Sequence, residues 1–317
     1  MKAPCCHAQK FAAGAILPNC KPFATSLPLS YIFVMKLWPA LLLAVALSAD
    51  AAQAHKLKVL TSFLPVYCFT VNVAGALANV DCLLPPGASP HDFQLSRSDV
   101  RKFNDADLLI VNGLGAEPWL DKLIKHGADK KTVMMSGALD KTNLHIWLDP
   151  ILAAHAVTNI LEALQAADPT NANAYAANAK AFIVKLQILD HEFREGLEPA
   201  KGAAIVTYHD AFFHLARRYG LRVVGVVEET SEVSPGARHL AKLRQIVKTQ
   251  GVKAMFTDAE HPQKLADQLP QDFGVRLAAL YTLENGELTR TAYEDGMRKN
   301  LAILKSALID HASANAK

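Results

Sequence analysis

DPTNANAYAANAKAFIVKLQILDHEFREGLE, residues 168–198, decides the architecture. Asp168 is a good helix N-cap, and Pro169 suits a first helical turn. Beyond it neither Gly nor Pro intervenes until Gly196, and Tyr175, Phe182, Leu186, Leu189 and Phe193 recur at helical spacing. A helix of roughly 28 residues is about 42 Å long. That is too long to cover one small α/β layer, so the segment reads as a rigid strut joining two lobes.

On both sides of the strut, strands alternate with helices. Before it, strand-like runs at 56–61, 80–84, 108–112 and 132–135 are separated by helical patterns at 65–77, 96–104 and 117–126. After it, runs at 203–208, 221–227, 254–257 and 275–281 alternate with helical patterns at 211–219, 237–249, 263–268 and 293–310. Such alternation implies parallel strands covered by helices. The expected fold is therefore α/β, with two lobes, each a mostly parallel sheet covered by helices. The expected division is a leader over 1–54, an N-terminal lobe over 55–167, the linking helix over 168–199 and a C-terminal lobe over 200–317.

The leader reads as targeting sequence. Met35-Lys36 is a short basic start, Leu37 to Leu47 is apolar but too short to span a bilayer, and Ala52-Gln53-Ala54 fits a small-x-small cleavage site. A signal peptide over 35–54 is expected, cleaved near Ala54, with residues 1–34 upstream of a natural start at Met35. Of 33 Lys+Arg and 30 Asp+Glu, the first 54 residues hold Lys2, Lys10, Lys21, Lys36 and Asp50. The remainder is electrically balanced, which removes the basic footprint that nucleic acid or an anionic membrane surface needs. Cys5, Cys6 and Cys20 precede Met35, leaving Cys68 and Cys82. An exported compartment permits a disulfide between them, but two buried unpaired thiols are the plainer expectation.

Three histidines occupy equivalent places. His91 follows a strand and the Pro85-Pro86-Gly87 turn, His145 precedes the helix start Asp149-Pro150, and His209 follows the strand Ala-Ile-Val-Thr-Tyr. Each lies beyond the carboxyl end of a strand, where open α/β sheets place ligand sites. A loop histidine is ordinarily a cap or surface residue; the shared topological position sets these three apart. Three neutral imidazoles suit Zn²⁺ and leave one tetrahedral position. Glu284 and Asp258, each following a second-lobe strand, are candidates for it, with water as the alternative. Asp149, Asp210 and Ser96 read as helix caps, Trp119 and Trp147 as packing anchors, and His214 as structural. No Gly-rich phosphate loop, Gly-x-Ser-x-Gly elbow or His-Glu-x-x-His helix occurs.

At these residues a resemblance becomes specific. Pro85-Pro86-Gly87-Ala88-Ser89-Pro90-His91-Asp92-Phe93, Asn112-Gly113-Leu114-Gly115, Glu117-Pro118-Trp119-Leu120, His145-Ile146-Trp147-Leu148-Asp149-Pro150 and Tyr208-His209-Asp210-Ala211-Phe212 resemble, in order, segments of the periplasmic zinc and manganese receptors of ABC importers. The resemblance implies two α/β lobes joined by one long helix, with metal held in the interlobe cleft. It carries the ligands over to His91, His145 and His209. Manganese-type members usually have Glu at the third position, so His209 favours zinc. Two departures stand out. The stretch 121–144 lacks the long His-rich loop of many zinc members and holds only His126. Tyr281 stands where many members have Asp, and Glu284 fits the Glu that some zinc members use slightly further on. What the resemblance implies is a monomeric, periplasmic, non-enzymatic solute-binding protein. It would carry Zn²⁺ to an ABC importer permease with its cytoplasmic ATPase, without binding nucleic acid or inserting stably in a membrane. A manganese or other divalent-metal receptor, or a zinc hydrolase using the open position to activate water, are the alternatives.

Overall fold

The computed structural model describes residues 56–91, 93–126, 131–139, 142–228, 236–260 and 273–309. The leader and the expected helix over 263–268 lie outside these residues.

Two four-stranded sheets carry the fold. The first holds β1 (Leu57–Thr61), β2 (Ala78–Cys82), β3 (Leu108–Val111) and β4 (Lys131–Met134), in the order β2-β1-β3-β4. The second holds β5 (Ala204–His209), β6 (Arg222–Glu228), β7 (Ala254–Asp258) and β8 (Arg276–Leu280), in the order β6-β5-β7-β8. All pairings are parallel. The two sheets thus share one topology: the first strand is central, flanked by the second and third.

The strand sequences explain why both faces are covered. Leu108-Leu109-Ile110-Val111 is buried throughout, as is Ala254 to Asp258. Successive side chains point to opposite faces. Leu108 and Ile110 join one large core, while Leu109 and Val111 pack with Leu60, Phe103 and Leu120 on the other face. In the second sheet Ala254 and Phe256 join the large core, and Met255 packs with Val206, Leu243 and Val247.

Helix α1 (Leu64–Ala74) is apolar nearly all round and buried. Helix α2 (Arg97–Asp105) is amphipathic, and Phe103 is its one buried residue. Ser96 caps its start, as expected, and Asp99 completes a capping box with it. The pattern at 117–126 resolves into a 3-10 turn, Pro118–Leu120, followed by α3 (Asp121–His126). Helix α4 (Pro150–Ala167) starts on Asp149, whose carboxylate accepts the N–H groups of Ile151 and Leu152.

The strut is α5 (Ala172–Leu197), 26 residues long, with 3-10 turns at Pro169–Asn171 and Glu198–Ala200. It begins four residues after Asp168, which does not cap it. Instead, the Asp168 carboxylate accepts from Asn171 Nδ2 at 2.7 Å and the Tyr175 hydroxyl at 2.8 Å. Tyr175, Ala179, Phe182, Leu186, Leu189, Phe193 and Leu197 form its buried stripe. The core against this stripe draws on both sheets, from Val59 and Ile110 in the first to Ile205 and Phe256 in the second. Short α6 (Phe213–Arg218), α7 (Ala237–Gln250) and α8 (Ala292–Leu308) complete the described helices. None of the described helices is long and apolar enough to cross a membrane.

Candidate metal centre

His91, His145, His209 and Glu284 converge. One ligand atom from each lies within 4.8 Å of the others. The imidazole centroids are 6.2 Å apart for His91 and His145, 5.6 Å for His91 and His209, and 4.8 Å for His145 and His209. Glu284 Oε1 lies 3.2 Å from Nε2 of both His91 and His145. Donor atoms at tetrahedral corners around zinc stand about 3.3 Å apart. Two edges of that tetrahedron are therefore already in place, and the widest separation needs a contraction of about 1.5 Å.

Each side chain is placed by its own local device. His91 follows Gly87, whose φ of +85° turns the chain after β2. Trp119 Nε1 donates to the carbonyl of Pro90 at 2.7 Å, and its ring meets Phe93 edge-on, so the expected packing anchor holds the residues on both sides of His91. His145 is followed by a 3-10 turn, Ile146–Leu148, that leads into the Asp149 cap. His209 is the last residue of β5, and Asp258 is the last of its neighbour β7. His209 Nδ1 lies 3.3 Å from Asp258 Oδ2. Asp258 is thus outside the cluster and orients one of its members, while Glu284 is inside it.

Glu284 stands on a constrained turn. Leu283 has φ +59°, a left-handed conformation that non-glycine residues adopt at a cost. The Glu260 carboxylate accepts the N–H of Thr282 at 2.7 Å, its hydroxyl at 2.5 Å and the N–H of Leu283 at 3.0 Å. Asn300 takes the N–H of Tyr281 and donates to its carbonyl. Burial pushes the Glu260 carboxyl up to about 7, against these donors.

The electrostatics describe a pocket short of one positive charge. Burial pulls His145 down to about 4, with Glu284 only partly offsetting it, so the imidazole is neutral at physiological pH. Glu284 goes the other way: burial opposes its charge, but the His91 imidazole, whose Nε2 lies 3.2 Å from Oε1, holds the carboxyl well below the usual range. His145 Nδ1 donates to Asn143 Oδ1 at 2.8 Å. Its Nε2 is then a lone pair, fully buried, facing a carboxylate at 3.2 Å and making no hydrogen bond. Two electron-pair donors that close, with no proton between them, are the arrangement a cation relieves. For His209 burial again disfavours the charge, but Asp258 outweighs it and the pKa is raised. The cluster opens to solvent through His91 and His209, whose side chains are 22% and 18% exposed, whereas Glu284 is 1% exposed.

Among the described residues, His155, His191, His214 and His239 stay apart from the cluster. His155 and His191 are exposed on helices, and His239 bonds the Val226 carbonyl. His214 is buried and bonds the carbonyl of Asn143, a structural contact that reaches the edge of the site. Asp210 was expected to cap α6 but does not: its carboxylate and carbonyl both face Asn143 Nδ2. Asn143 and Glu260 belong to no motif that marks them in the sequence. Asn143 stands two residues before His145, a spacing that lets one amide reach a histidine's N–H and ring together.

The sequence profile described as zinc-uptake complex component A, periplasmic (ZnuA), matches residues 59–307. The chain belongs to the ZnuA family. The high-affinity zinc uptake system protein ZnuA of Bacillus subtilis is 32% identical over 289 residues, covering 83% of this chain and 90% of that protein. Zinc-bound AdcA of Streptococcus pneumoniae superposes with a TM-score of 0.68 at 34% identity, covering 80% of this chain. The present chain spans 58% of AdcA, little more than half of that longer relative. The SBP FpvC of Pseudomonas aeruginosa in complex with Mn²⁺ gives a TM-score of 0.75 at 26% identity, with 80% of this chain and 98% of FpvC covered. ZnuA-family membership agrees with two parallel sheets on one long helix and with a histidine-rich centre.

Proposed function

We propose that this ZnuA-family chain is an exported receptor that captures Zn²⁺ as cargo and hands it to a membrane permease driven by a cytoplasmic ATPase. Its ligands are His91, His145, His209 and Glu284. The lobes over 55–167 and 200–317, joined by 168–199, supply two ligands each. The chain acts as a periplasmic monomer, released from its signal peptide near Ala54, and catalyses nothing. The observation that carries this reading is the convergence of three imidazoles and the Glu284 carboxylate within 4.8 Å, with His145 Nε2 fully buried and making no hydrogen bond. Three imidazoles and one carboxylate make a borderline-soft, four-coordinate set that suits zinc better than manganese. With all four positions taken by protein groups, no corner is left for an activated water, which argues against hydrolysis. The names of its relatives, ZnuA and AdcA, point to zinc as well.

Native mass spectrometry with Zn²⁺, Mn²⁺, Co²⁺ and Ni²⁺ in competition tests the proposal. One zinc per chain, retained against equimolar manganese, is the expected result. Preferential retention of manganese, or zinc-dependent ester hydrolysis by the loaded protein, would overturn it.

A further inference from the structure

Asn143 stands beside the centre and bonds to both halves of the chain. Its Oδ1 accepts the backbone N–H of His145 at 2.9 Å and lies 2.8 Å from His145 Nδ1. Its Nδ2 donates to the carbonyl of Asp210 at 2.7 Å and to Asp210 Oδ2 at 3.1 Å. Its own carbonyl lies 2.9 Å from His214 Nε2. These partners fix the amide's orientation, because Asp210 offers only acceptors on that side. With the oxygen turned toward His145, Nδ1 must carry the ring proton.

The alternative tautomer would have a different outcome. A proton on Nε2 would point at Glu284 Oε1, 3.2 Å away, and would close the pocket with an internal hydrogen bond. The empty site would then be satisfied without a cation, and zinc would have to break that bond. A proton on Nδ1 leaves the lone pair facing inward.

We propose that Asn143 is a positioning residue of the zinc site: it presets His145 as the Nδ1–H tautomer, and is itself held by Asp210 and His214. The proposal rests on the zinc-receptor reading for its consequence but not for its geometry. Asp210 adjoins His209, so the segment that carries a ligand of the second sheet also orients a ligand that follows the first. Outer groups that fix a histidine ligand in this way typically govern metal affinity by about 10- to 100-fold.

The test reads the ring nitrogens of His145 in zinc-free protein by ¹H–¹⁵N correlation, assigned by comparison with His145→Gln. The expected result is the Nδ1–H tautomer in the unsubstituted chain. In Asn143→Ala and Asn143→Leu, which lack the acceptor, the Nε2–H form should appear and zinc affinity should fall by about 10- to 100-fold. Asn143→Asp restores the acceptor and should restore the tautomer and most of the affinity, even though it loses the bonds to Asp210. An Nε2–H His145 in the unsubstituted protein overturns the proposal without recourse to any variant. So does an unchanged tautomer in either substituted protein, since a merely structural Asn143 would lower stability and leave the ring as it is. Failure of the unsubstituted chain to bind zinc would sink the receptor reading and leave the tautomer result standing.

Discussion

The indole Nε1 of Trp147 donates to the backbone carbonyl of Thr282 at 2.7 Å. Trp147 lies two residues after His145, and Thr282 two residues before Glu284. One buried bond therefore ties the loop of one candidate ligand to the turn of another, across 135 residues of chain. The Trp147 carbonyl accepts from the Tyr293 hydroxyl at 2.6 Å, and its ring meets Phe63 edge-on at 5.1 Å. Trp147→Phe keeps an aromatic ring and removes the donor. It should destabilise the zinc-free protein by about 1–3 kcal/mol, the cost of leaving a buried carbonyl unpaired. Zinc affinity should fall with it, because the Glu284 turn loses an anchor. Urea unfolding and chelator competition measure the two effects, and wild-type values in both would show that the bond carries neither.

Glu284 and Asp258 should respond differently to loss of charge. Glu284→Gln removes the anion from the middle of the cluster and should weaken zinc binding by more than 100-fold, beyond the range of an outer-group change. Asp258→Asn acts only through the orientation and basicity of His209 and should cost about 10-fold at pH 8. The Asp258→Asn deficit relative to the unsubstituted protein should narrow in acid. Asp258 raises the pKa of His209, so protons compete with zinc at His209 at higher pH than an ordinary imidazole would allow. Asp258→Asn removes that competition and should shift the acid fall in affinity to lower pH. Equal losses at pH 8, or an unshifted acid limb, would contradict these roles.

The stability of the zinc-free protein should carry two opposed slopes. His145 is neutral when folded down to about pH 4, whereas an unfolded histidine takes up its proton near 6.5. The unfolded chain then binds more protons between those values, so stability from His145 rises with pH across that window. Glu260 has the opposite sign. Its folded carboxyl keeps its proton up to about 7, against an unperturbed 4.5, so its contribution falls as pH rises between them. Glu260→Gln should therefore steepen the rise, and His145→Gln should expose the fall. Thermal melts at constant ionic strength from pH 4.5 to 7 test this. Parallel curves for both variants would refute it.

Cys68 and Cys82 are both free thiols, buried, with Sγ donating to the carbonyls of Thr289 and Ser62. Burial pushes them up to about 12 and about 11. Since the thiolate is the reactive form, neither should be alkylated by iodoacetamide in the native protein, and both should be labelled in urea. Peptide mapping reads the two sites separately. Native labelling of either would show an opening that this packing does not contain.

The sheets, the strut and the three histidines could all be read from the chain because each leaves a local mark. Short apolar runs bounded by turns, a long uninterrupted 3.6-period stripe, and histidines just past strand ends are all sequence signals. Glu284 was legible only as one of two carboxylates, since both follow strands and nothing local says which points inward. What separates them is tertiary: Asp258 ends a central strand beside His209, whereas the Leu283 turn, held by Glu260 and Trp147, carries Glu284 over the cluster. Asn143 was invisible for a related reason. The partners that hold it, Asp210 and His214, lie 67 and 71 residues away, and an asparagine before a turn is ordinarily a turn residue. Asp210 misled for the same reason, with its capping chemistry diverted to Asn143.

The apolar interior along α5 has no seam. Phe63 and Trp147 from one side of it and Phe256 and Met297 from the other belong to one contiguous cluster. Neither half can be stripped of its neighbour without exposing that interior, so the protein should melt as one cooperative unit rather than as two. Calorimetry should give a single transition whose van't Hoff and calorimetric enthalpies agree. The same continuity sets how a weakened variant fails. Damage near β3 and damage near β7 draw on one common reserve of stability, and a protease would meet either the whole fold or an unfolded chain, with no surviving half to trim.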